Sequence, residues 1–382
     1  MGQDSARRSV AMLALCSALL LVAAPASLAS TAPVEDGLLS NGDFESAPAG
    51  GFAKSASVAD GQHQGGMILI VPQGDHAVRL GNDASIGQVV QVEKGSEYAI
   101  TFSAARTCAQ LEALNVSVLG GVSQTVDLQT LYNIEGWDAY ALAFQATDEE
   151  AHIQFMNPGM EDDPTCGPIL DNVAVKRLFT PDKPKDNVVI NGDFEEGPWM
   201  FPNTSFGVLL PTNLDEQTSA LPGWMIESNR AVRYVDSDEY KVPQGKRAIE
   251  LLSGKEGIIS QMVETTPQKE YSLTFTLGSA GDSCQPPMAV MAFAGDQAQN
   301  FHYLPMGNAT SQSANVTFTA RAERTRVAFY SVYYNTRSDD HSSLCGPVID
   351  DIRVWGLNAA AGLKTSIGLV LGIVAVVAIV LF

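Results

Sequence analysis

The pentapeptide Asn41-Gly42-Asp43-Phe44-Glu45 recurs unchanged at residues 191–195. Further segments that follow the first copy recur in the same order after the second. The matched pairs are 71–74 with 242–245, 98–102 with 271–275, and 166–171 with 345–350. Collinear matches of this kind indicate a duplication, so we expect two copies of one domain.

The matched segments are short and rich in β-branched and aromatic residues. Their polarity alternates, as in Tyr271-Ser272-Leu273-Thr274-Phe275-Thr276, and a period of two is typical of strands with one buried face. Gly, Pro and Asn clusters interrupt them, and no long amphipathic helix pattern lies between the two ends of the chain. The sequence therefore predicts an all-β protein of two tandem jelly-roll β-sandwiches.

The repeat also sets the predicted boundaries. The first domain covers residues 36–178 and the second covers residues 187–356. Residues 179–186 join them, and the two prolines and the charges of this segment suit a short, semi-rigid linker.

Both ends of the chain have targeting patterns. Arg7 and Arg8 precede an apolar run and small residues, so residues 1–29 are predicted to be a cleaved signal peptide. Residues 357–382 contain small residues near Asn358, a polar spacer and an apolar tail without a basic end. This pattern predicts a GPI-anchor signal with lipid attached near Asn358. A single-pass membrane anchor stays the alternative because the spacer is short.

Four cysteines follow the predicted signal peptide, and an even number in a secreted chain predicts disulfides. In each copy one cysteine follows the Tyr-x-x-Thr-Phe strand and one begins the last strand. Repeat symmetry therefore pairs Cys108 with Cys166 and Cys284 with Cys345, each closing a loop of about sixty residues. Glycosylation sequons fit the same compartment and occur at Asn115, Asn203, Asn308 and Asn315.

The formal net charge is −20. Nucleic acids bind to clustered Lys and Arg, so this charge excludes them and favours neutral ligands or basic protein partners. Asp350 and Asp351 are adjacent, and neighbours on a strand point to opposite faces, so they do not form a catalytic carboxylate pair. No histidine has the spacing of a metal or nucleophile motif. We therefore predict that the protein is not an enzyme.

The acidic residues of the repeated pentapeptide predict a cofactor. In a jelly roll the first and last strands can lie side by side, which would bring acids of the pentapeptide close to the acid after each Cys-Gly-Pro turn. Hard oxygen ligands of this kind suit a structural calcium ion. Turn chemistry at Asn-Gly is the equally weighted alternative. The predicted ligands are Asp43, Glu45 and Asp171 in the first copy and Asp193, Glu195 and Asp350 in the second.

Aromatic residues are more frequent in the second copy, and their faces can stack on the apolar CH face of a sugar ring. Tyr333 and Tyr334 are adjacent, so at least one of them should face outward from a strand. The predicted carbohydrate-binding residues are Trp224, Tyr234, Tyr303, Tyr333 and Tyr334.

These motifs resemble the plant cell-wall family called domain of unknown function 642, from residue 36 to residue 355. The resemblance is carried by the doubled pentapeptide opening, residues 71–86, Leu-Pro-Gly-Trp at 221–224 and both Cys-Gly-Pro endings. It implies two galactose-binding-like jelly rolls in the cell wall, binding of wall polysaccharide and of pectin methylesterases, and no known catalytic residues.

The first copy departs from this pattern because it is shorter. About thirty residues separate positions 41 and 71, whereas about fifty separate 191 and 242. We therefore expect the first copy to lack counterparts of residues 221–224 and of the strand that contains Arg233 and Tyr234. The prediction is a non-catalytic protein of the wall or outer plasma-membrane face that binds wall polysaccharide through its second copy. The alternative is a scaffold that recruits basic wall enzymes such as pectin methylesterase through complementary charge.

Overall fold

A computed structural model describes residues 37–46, 56–60, 74–108, 111–128, 137–160, 162–163, 166–198, 207–227, 232–252, 257–304 and 309–357. For residues 56–60 it describes the backbone alone. Regular structure in these ranges is β-strand, apart from one short 3-10 helix at Glu216–Thr218. The prediction of an all-β protein is therefore confirmed.

The first copy is a sandwich of two antiparallel layers. Its strands are β1 Ala56–Asp60, β2 His76–Leu80, β3 Ser85–Gln91, β4 Glu97–Ala105, β5 Ala113–Val118, β6 Ser123–Asp127, β7 Trp137–Gln145, β8 Glu150–Met156 and β9 Ile169–Leu178. One layer has the order β1-β2-β9-β4-β7 and the other has the order β3-β8-β5-β6. Alternate side chains of both layers, such as Phe102 on β4 and Phe155 on β8, meet in the core.

The second copy repeats this arrangement. Its strands are β10 Val208–Leu210, β11 Met225–Ile226, β12 Val232–Asp236, β13 Arg247–Leu251, β14 Ile258–Glu264, β15 Glu270–Ser279, β16 Ala289–Ala294, β17 Gln297–His302, β18 Ser311–Thr319, β19 Arg324–Ser331 and β20 Pro347–Gly356. The order β12-β13-β20-β15-β18 reproduces that of the first copy, and β11-β14-β19-β16-β17 form the facing layer. Its core contains Phe275 and Phe329.

Strand β10 joins the two copies. It pairs in parallel with β7, where Leu209 lies opposite Tyr140, and antiparallel with β12. One layer of each copy thereby becomes part of a continuous eleven-stranded sheet. Gln124 Nε2 also donates a hydrogen bond to the Thr212 carbonyl oxygen at 3.1 Å.

The expected loss of a strand from the first copy is wrong. Strand β1 pairs antiparallel with β2, and β12 pairs antiparallel with β13. The registers correspond, because Asp60 lies opposite His76 and Asp236 lies opposite Arg247. The first copy is therefore shorter in the connection between the pentapeptide and β1, and the edge strand itself is kept. Within the described residues, β10 and β11 are the strands without a first-copy counterpart.

Both predicted disulfides are present. Cys108 and Cys166 have Cα atoms 5.6 Å apart, and Cys284 and Cys345 have Cα atoms 5.5 Å apart. These distances lie within the ordinary range for a bridge. The disulfides tie the segments after β4 and β15 to the residues just before β9 and β20, respectively.

The repeated pentapeptide forms a corner against the last strand of each copy. The Gly42 carbonyl oxygen accepts a hydrogen bond from the Val173 amide, and the Gly192 carbonyl oxygen accepts one from the Ile352 amide, both at 2.8 Å. The last strand bulges next to these contacts. A Cβ at Gly192 would lie 2.1 Å from the Ile352 carbonyl oxygen, which explains the glycine.

Candidate functional site

The pentapeptide glutamates bind backbone amides in both copies. Glu45 Oε1 accepts hydrogen bonds from the amides of Asp75 and His76 at 2.8 and 2.9 Å. Glu195 Oε1 accepts them from Lys246 and Arg247 at 2.6 and 3.2 Å. The two carboxylates therefore close the turns that lead into the equivalent strands β2 and β13.

The acids on the last strands lie inside the protein. Asp171 and Asp350 are both fully buried, and Asp350 accepts hydrogen bonds from the amides of Gln244 at 2.8 Å and Asp351 at 2.7 Å. Burial raises the pKa of Asp350 to about 8. The arrangement assigns Asp350 to turn stabilisation.

This geometry favours turn chemistry at the corner. Asp43 is half-buried and Asp193 is exposed. A metal site needs one carboxylate oxygen from each of three acids within about 4.8 Å of the other two. Within the described residues, neither Asp43, Glu45 and Asp171 nor Asp193, Glu195 and Asp350 meet this condition. The structural calcium site stays a prediction. A grouping that does meet this distance, Cys108, Glu112 and Cys166, contains disulfide-bonded cysteines and is therefore no metal centre.

Two of the five predicted sugar-binding residues are core residues, so their prediction is wrong. Trp224 and Tyr234 are both 0% exposed. Trp224 Nε1 donates a hydrogen bond to the Asn191 carbonyl oxygen at 3.0 Å, and the Tyr234 hydroxyl donates one to the Phe194 carbonyl oxygen at 2.9 Å. Their polar atoms bind the pentapeptide corner, and their rings fill the space beneath it.

The other three tyrosines lie nearer the surface. Tyr303 is half-buried, packs against the core and donates its hydroxyl to the Thr310 carbonyl oxygen at 2.8 Å. Tyr333 and Tyr334 follow the end of β19 and are not part of a strand, and Tyr334 is 67% exposed. Tyr333 is half-buried, and its ring centroid lies 6.1 Å from that of His302. Sugar contact by these tyrosines stays a prediction.

A set of residues that the sequence analysis did not select forms an aromatic patch on the second copy. Val290, Ala292 and Phe329 point into the core, so the alternate residues Met291, Phe293 and Tyr330 lie on the outer face of their sheet. We call Met291, Phe293 and Tyr330 the aromatic platform. Tyr330 lies opposite Met291, and the rings of Tyr330 and Phe293 have centroids 5.4 Å apart.

Polar side chains border the platform on both sides. On β17, Asn300 lies opposite Met291, and His302 is exposed. On the other side Arg326 donates from Nε to Glu227 Oε1 at 3.0 Å. The hydroxyl of Ser260 also hydrogen-bonds to Glu227. Although burial raises the pKa of Glu227, the hydrogen bonds from Arg326 and Ser260 outweigh this and hold that pKa below its ordinary value.

The arrangement has the chemistry of a sugar-binding surface. An aromatic or apolar floor suits the CH face of a pyranose, and the surrounding donors and acceptors suit its hydroxyls. A signal for the platform was present in the sequence, because the period of two separates Met291 and Phe293 from Val290 and Ala292. That period does not tell which of the two faces is exposed.

The first copy has a different surface at the equivalent position. The residues at the places of Met291, Phe293 and Tyr330 are Asn115, Ser117 and Met156, with Asn115 opposite Met156. Asn115 is half-buried and its Nδ2 donates to Thr125 Oγ1 at 3.1 Å. Of the predicted glycosylation sites, Asn315 is exposed on β18. Asn203, Asn308, the signal peptide and the anchor region around Asn358 lie outside the described residues.

The described residues also contain a buried ionic network in the second copy. Arg233 donates from Nε to Glu250 at 2.7 Å and from Nη2 to Asp282 at 2.7 Å, and Glu250 accepts the Gly346 amide at 2.8 Å. Although burial lowers it, the pKa of Arg233 is raised overall by these carboxylates. The network lies beside the Cys284–Cys345 disulfide and is almost fully buried, so we assign it a structural role.

The fold and the platform define a class, that of tandem β-sandwich proteins with an aromatic surface patch. No helix in the described residues is long and apolar enough to cross a membrane.

The family follows from the sequence. The family model described as "Protein of unknown function (DUF642)" matches residues 53–176 and 187–355, and the chain belongs to this family. The Arabidopsis thaliana protein "DUF642 L-GALACTONO-1,4-LACTONE-RESPONSIVE GENE 1" is 47% identical over 367 residues, covering 91% of this chain and 98% of the relative. The Arabidopsis thaliana protein TEEBE is 40% identical over 340 residues, covering 84% of this chain and 92% of the relative.

Solved structures are more distant. The CBM22-1-CBM22-2 tandem domain of Paenibacillus barcinonensis Xyn10C is 11% identical and covers 82% of this chain and 96% of its own, with a TM-score of 0.27. The ANX2 ectodomain of Arabidopsis thaliana is 7% identical and covers 81% of this chain and 90% of its own, also with a TM-score of 0.27. Similarity at this level does not identify a ligand.

Proposed function

We propose that this chain is a non-catalytic extracellular cell-wall protein that binds wall polysaccharide through its second copy. The observation that carries the proposal is the aromatic platform, whose three half-buried side chains lie on the outer face of their sheet. The two disulfides support an oxidising compartment outside the cytosol. In this proposal the two copies are galactose-binding-like jelly rolls, and a GPI anchor near Asn358 holds them at the outer face of the plasma membrane.

Sugar rings would lie across strands β19 and β16. The Tyr330 and Phe293 rings are 5.4 Å apart and tilted by 38°, so together they form one continuous apolar floor. Asn300 on one side and the Arg326–Glu227 pair on the other would hydrogen-bond to hydroxyls at the ring edges.

The test is binding of the mature chain to a panel of wall polysaccharides. We expect Tyr330→Ala and Phe293→Ala each to weaken binding by about fivefold, because a stacked ring contributes about 1 kcal/mol. Leu304→Ala is the matched control, since Leu304 is a 72% exposed apolar residue outside the platform. Unchanged binding in both platform variants, with melting temperatures like wild type, would reject the site.

Two further variants decide whether the predicted tyrosines extend the platform. Tyr333 lies beside His302 at one border, so Tyr333→Ala and Tyr334→Ala test contact with a longer glycan. Weaker binding of long chains with unchanged binding of short ones would place these tyrosines at an outer subsite.

The second candidate function is a scaffold for basic wall enzymes such as pectin methylesterase. The observation that favours it is the net charge of −20. Complementary charge raises association rates and makes them sensitive to salt. Binding of a basic partner that falls steeply with ionic strength and is unaffected by Tyr330→Ala would support the scaffold over the polysaccharide site.

A further inference from the structure

A cavity of about 190 Å³ lies in the first copy beside the pentapeptide corner. Phe44, Ile86 and Phe155 are among its apolar lining residues, and Asn41 and Gln88 supply polar groups. These lining residues belong to the described part of the chain. The cavity lies on a different face from the surface that matches the aromatic platform.

The second copy has a side chain in the same place. The repeat puts Phe194 at the position of Phe44 and Phe329 at the position of Phe155. The Trp224 ring lies between them, with centroid distances of 5.4 Å to Phe194 and 6.3 Å to Phe329, and is 0% exposed. Trp224 thus occupies in the second copy the space that the described residues of the first copy leave as a cavity.

The polar groups around the two positions also correspond. In the second copy Gln261 Nε2 donates to the Gly223 carbonyl oxygen at 2.7 Å, and Asn191 Nδ2 donates to the Pro222 carbonyl oxygen at 3.1 Å. Both amides therefore hold the backbone of the turn that carries Trp224.

In the first copy the same amides keep only their local bonds among the described residues. Gln88 Nε2 donates to the Ser40 carbonyl oxygen at 3.1 Å, and Asn41 Nδ2 donates to the Ser46 carbonyl oxygen at 2.8 Å. These bonds repeat those that Gln261 makes to Ile190 and Asn191 makes to Glu196. The donors that hold the Pro-Gly turn in the second copy are thus retained in the first.

We infer that this cavity is a peptide-docking site that takes a tryptophan-bearing Pro-Gly turn from a partner protein. The indole would lie between Phe44 and Phe155 and donate to the Asn41 carbonyl oxygen, as Trp224 does to Asn191. The turn carbonyls would accept from Gln88 and Asn41. Burial of one indole in an apolar pocket is the type of contact that dominates binding energy at interfaces. The site does not depend on sugar binding by the platform.

The test uses the full mature chain and the peptide acetyl-Leu-Pro-Gly-Trp-Met-amide, which copies residues 221–225. Isothermal titration should detect binding, and replacing the peptide Trp by Ala should weaken it by roughly tenfold or more. Methyl NMR shifts should appear at Ile86 and Ile153, which line the cavity.

Two variants on strand β3 provide the matched comparison. Ile86→Trp places a ring in the cavity and should abolish peptide binding without lowering the melting temperature. Val89→Trp adds the same ring on the opposite face, where Val89 is 48% exposed, and should leave peptide binding unchanged. If Ile86→Trp proves unstable, the methyl shifts on the wild-type chain still decide the location.

Three outcomes would overturn the inference. The first is equal binding of the Trp and Ala peptides, and the second is displacement of the peptide by a wall oligosaccharide. The third is binding that appears only in a Phe52→Ala variant, which would assign the cavity to the chain's own segment before β1. None of these bears on the platform, whose variants are tested separately with polysaccharide.

Discussion

Apart from β10 and β11, the two copies have the same order of sheet strands, and they share the same corner, yet they differ at the two places where a ligand could bind. The second copy has an aromatic platform on its outer sheet and a tryptophan beneath its corner. At these positions the first copy has Asn115, Ser117 and Met156 on the sheet and an open cavity at the corner. A duplicated scaffold can thus keep its hydrogen-bonded frame while its outer face and its connections diverge, because strand pairing uses backbone groups and leaves the outward side chains and the connections free to change.

The largest expected effect comes from removing the tryptophan that distinguishes the two corners. Trp224→Ala should destabilise the protein by about 4 kcal/mol, because a fully buried ring leaves a cavity. Added indole should restore part of the lost melting temperature. Trp355→Ala, at a half-buried position, is the control and should cost much less. Equal losses for the two variants would contradict the packing role of Trp224.

The next largest effect concerns the buried ionic network. Arg233→Ala should cost about 3 kcal/mol, because it leaves the carboxylates of Glu250 and Asp282 buried without their partner. Arg321→Ala removes an ion pair with Asp296 in which the Arg321 side chain is 77% exposed, and should cost less than about 1 kcal/mol. Denaturant unfolding measures both changes. A small loss for Arg233→Ala would argue against a structural network.

A gain-of-function change tests the comparison in the opposite direction. Ser117→Phe combined with Met156→Tyr transfers two platform residues to the first copy. We expect the variant to bind a second equivalent of the polysaccharide fragment, with about 1 kcal/mol from each stacked ring. Stoichiometry by titration is the measurement, and Ser117→Ala with Met156→Ala is the control. A stoichiometry that stays at one would mean that the bordering polar groups of the second copy are indispensable.

A smaller effect is expected from pH. Because the pKa of Glu227 is held below its ordinary value, its contribution is present above about pH 4.3 and is lost as pH falls further. Polysaccharide affinity should therefore be constant from pH 7 to about pH 4.3 and decrease as the pH falls further. Glu227→Gln should remove this low-pH decrease in affinity. If the variant shows the same decrease as the wild type, the decrease does not come from Glu227.

The smallest effect is expected from calcium removal. If calcium bridges Glu195 and Asp350, a chelator lowers the melting temperature of the wild type but not that of Asp350→Asn. An unchanged wild-type melting temperature would assign both carboxylates to the corner turn, where they already accept backbone amides.

Much of the scaffold could be predicted, and little of the site. Repeat symmetry paired the four cysteines correctly, because each copy has one cysteine at each of two equivalent positions. The same reasoning erred on the edge of the first copy, where a shorter connection was interpreted as a missing strand. It also selected Trp224 and Tyr234, whose aromatic character suits either a core or a sugar-binding face.

Local pattern was sufficient to establish the duplication, the strand period and the disulfides, since each of these depends on residues close in sequence or on symmetry between the copies. The period of two divides Val290 and Ala292 from Met291 and Phe293, but it cannot say which set is covered. That choice is made by the facing sheet, whose side chains bury one set and leave Phe293 and Tyr330 half-buried on the outer face. Long-range packing also placed Trp224 beneath one corner and joined the two copies through β10, because neither contact is encoded by neighbouring residues.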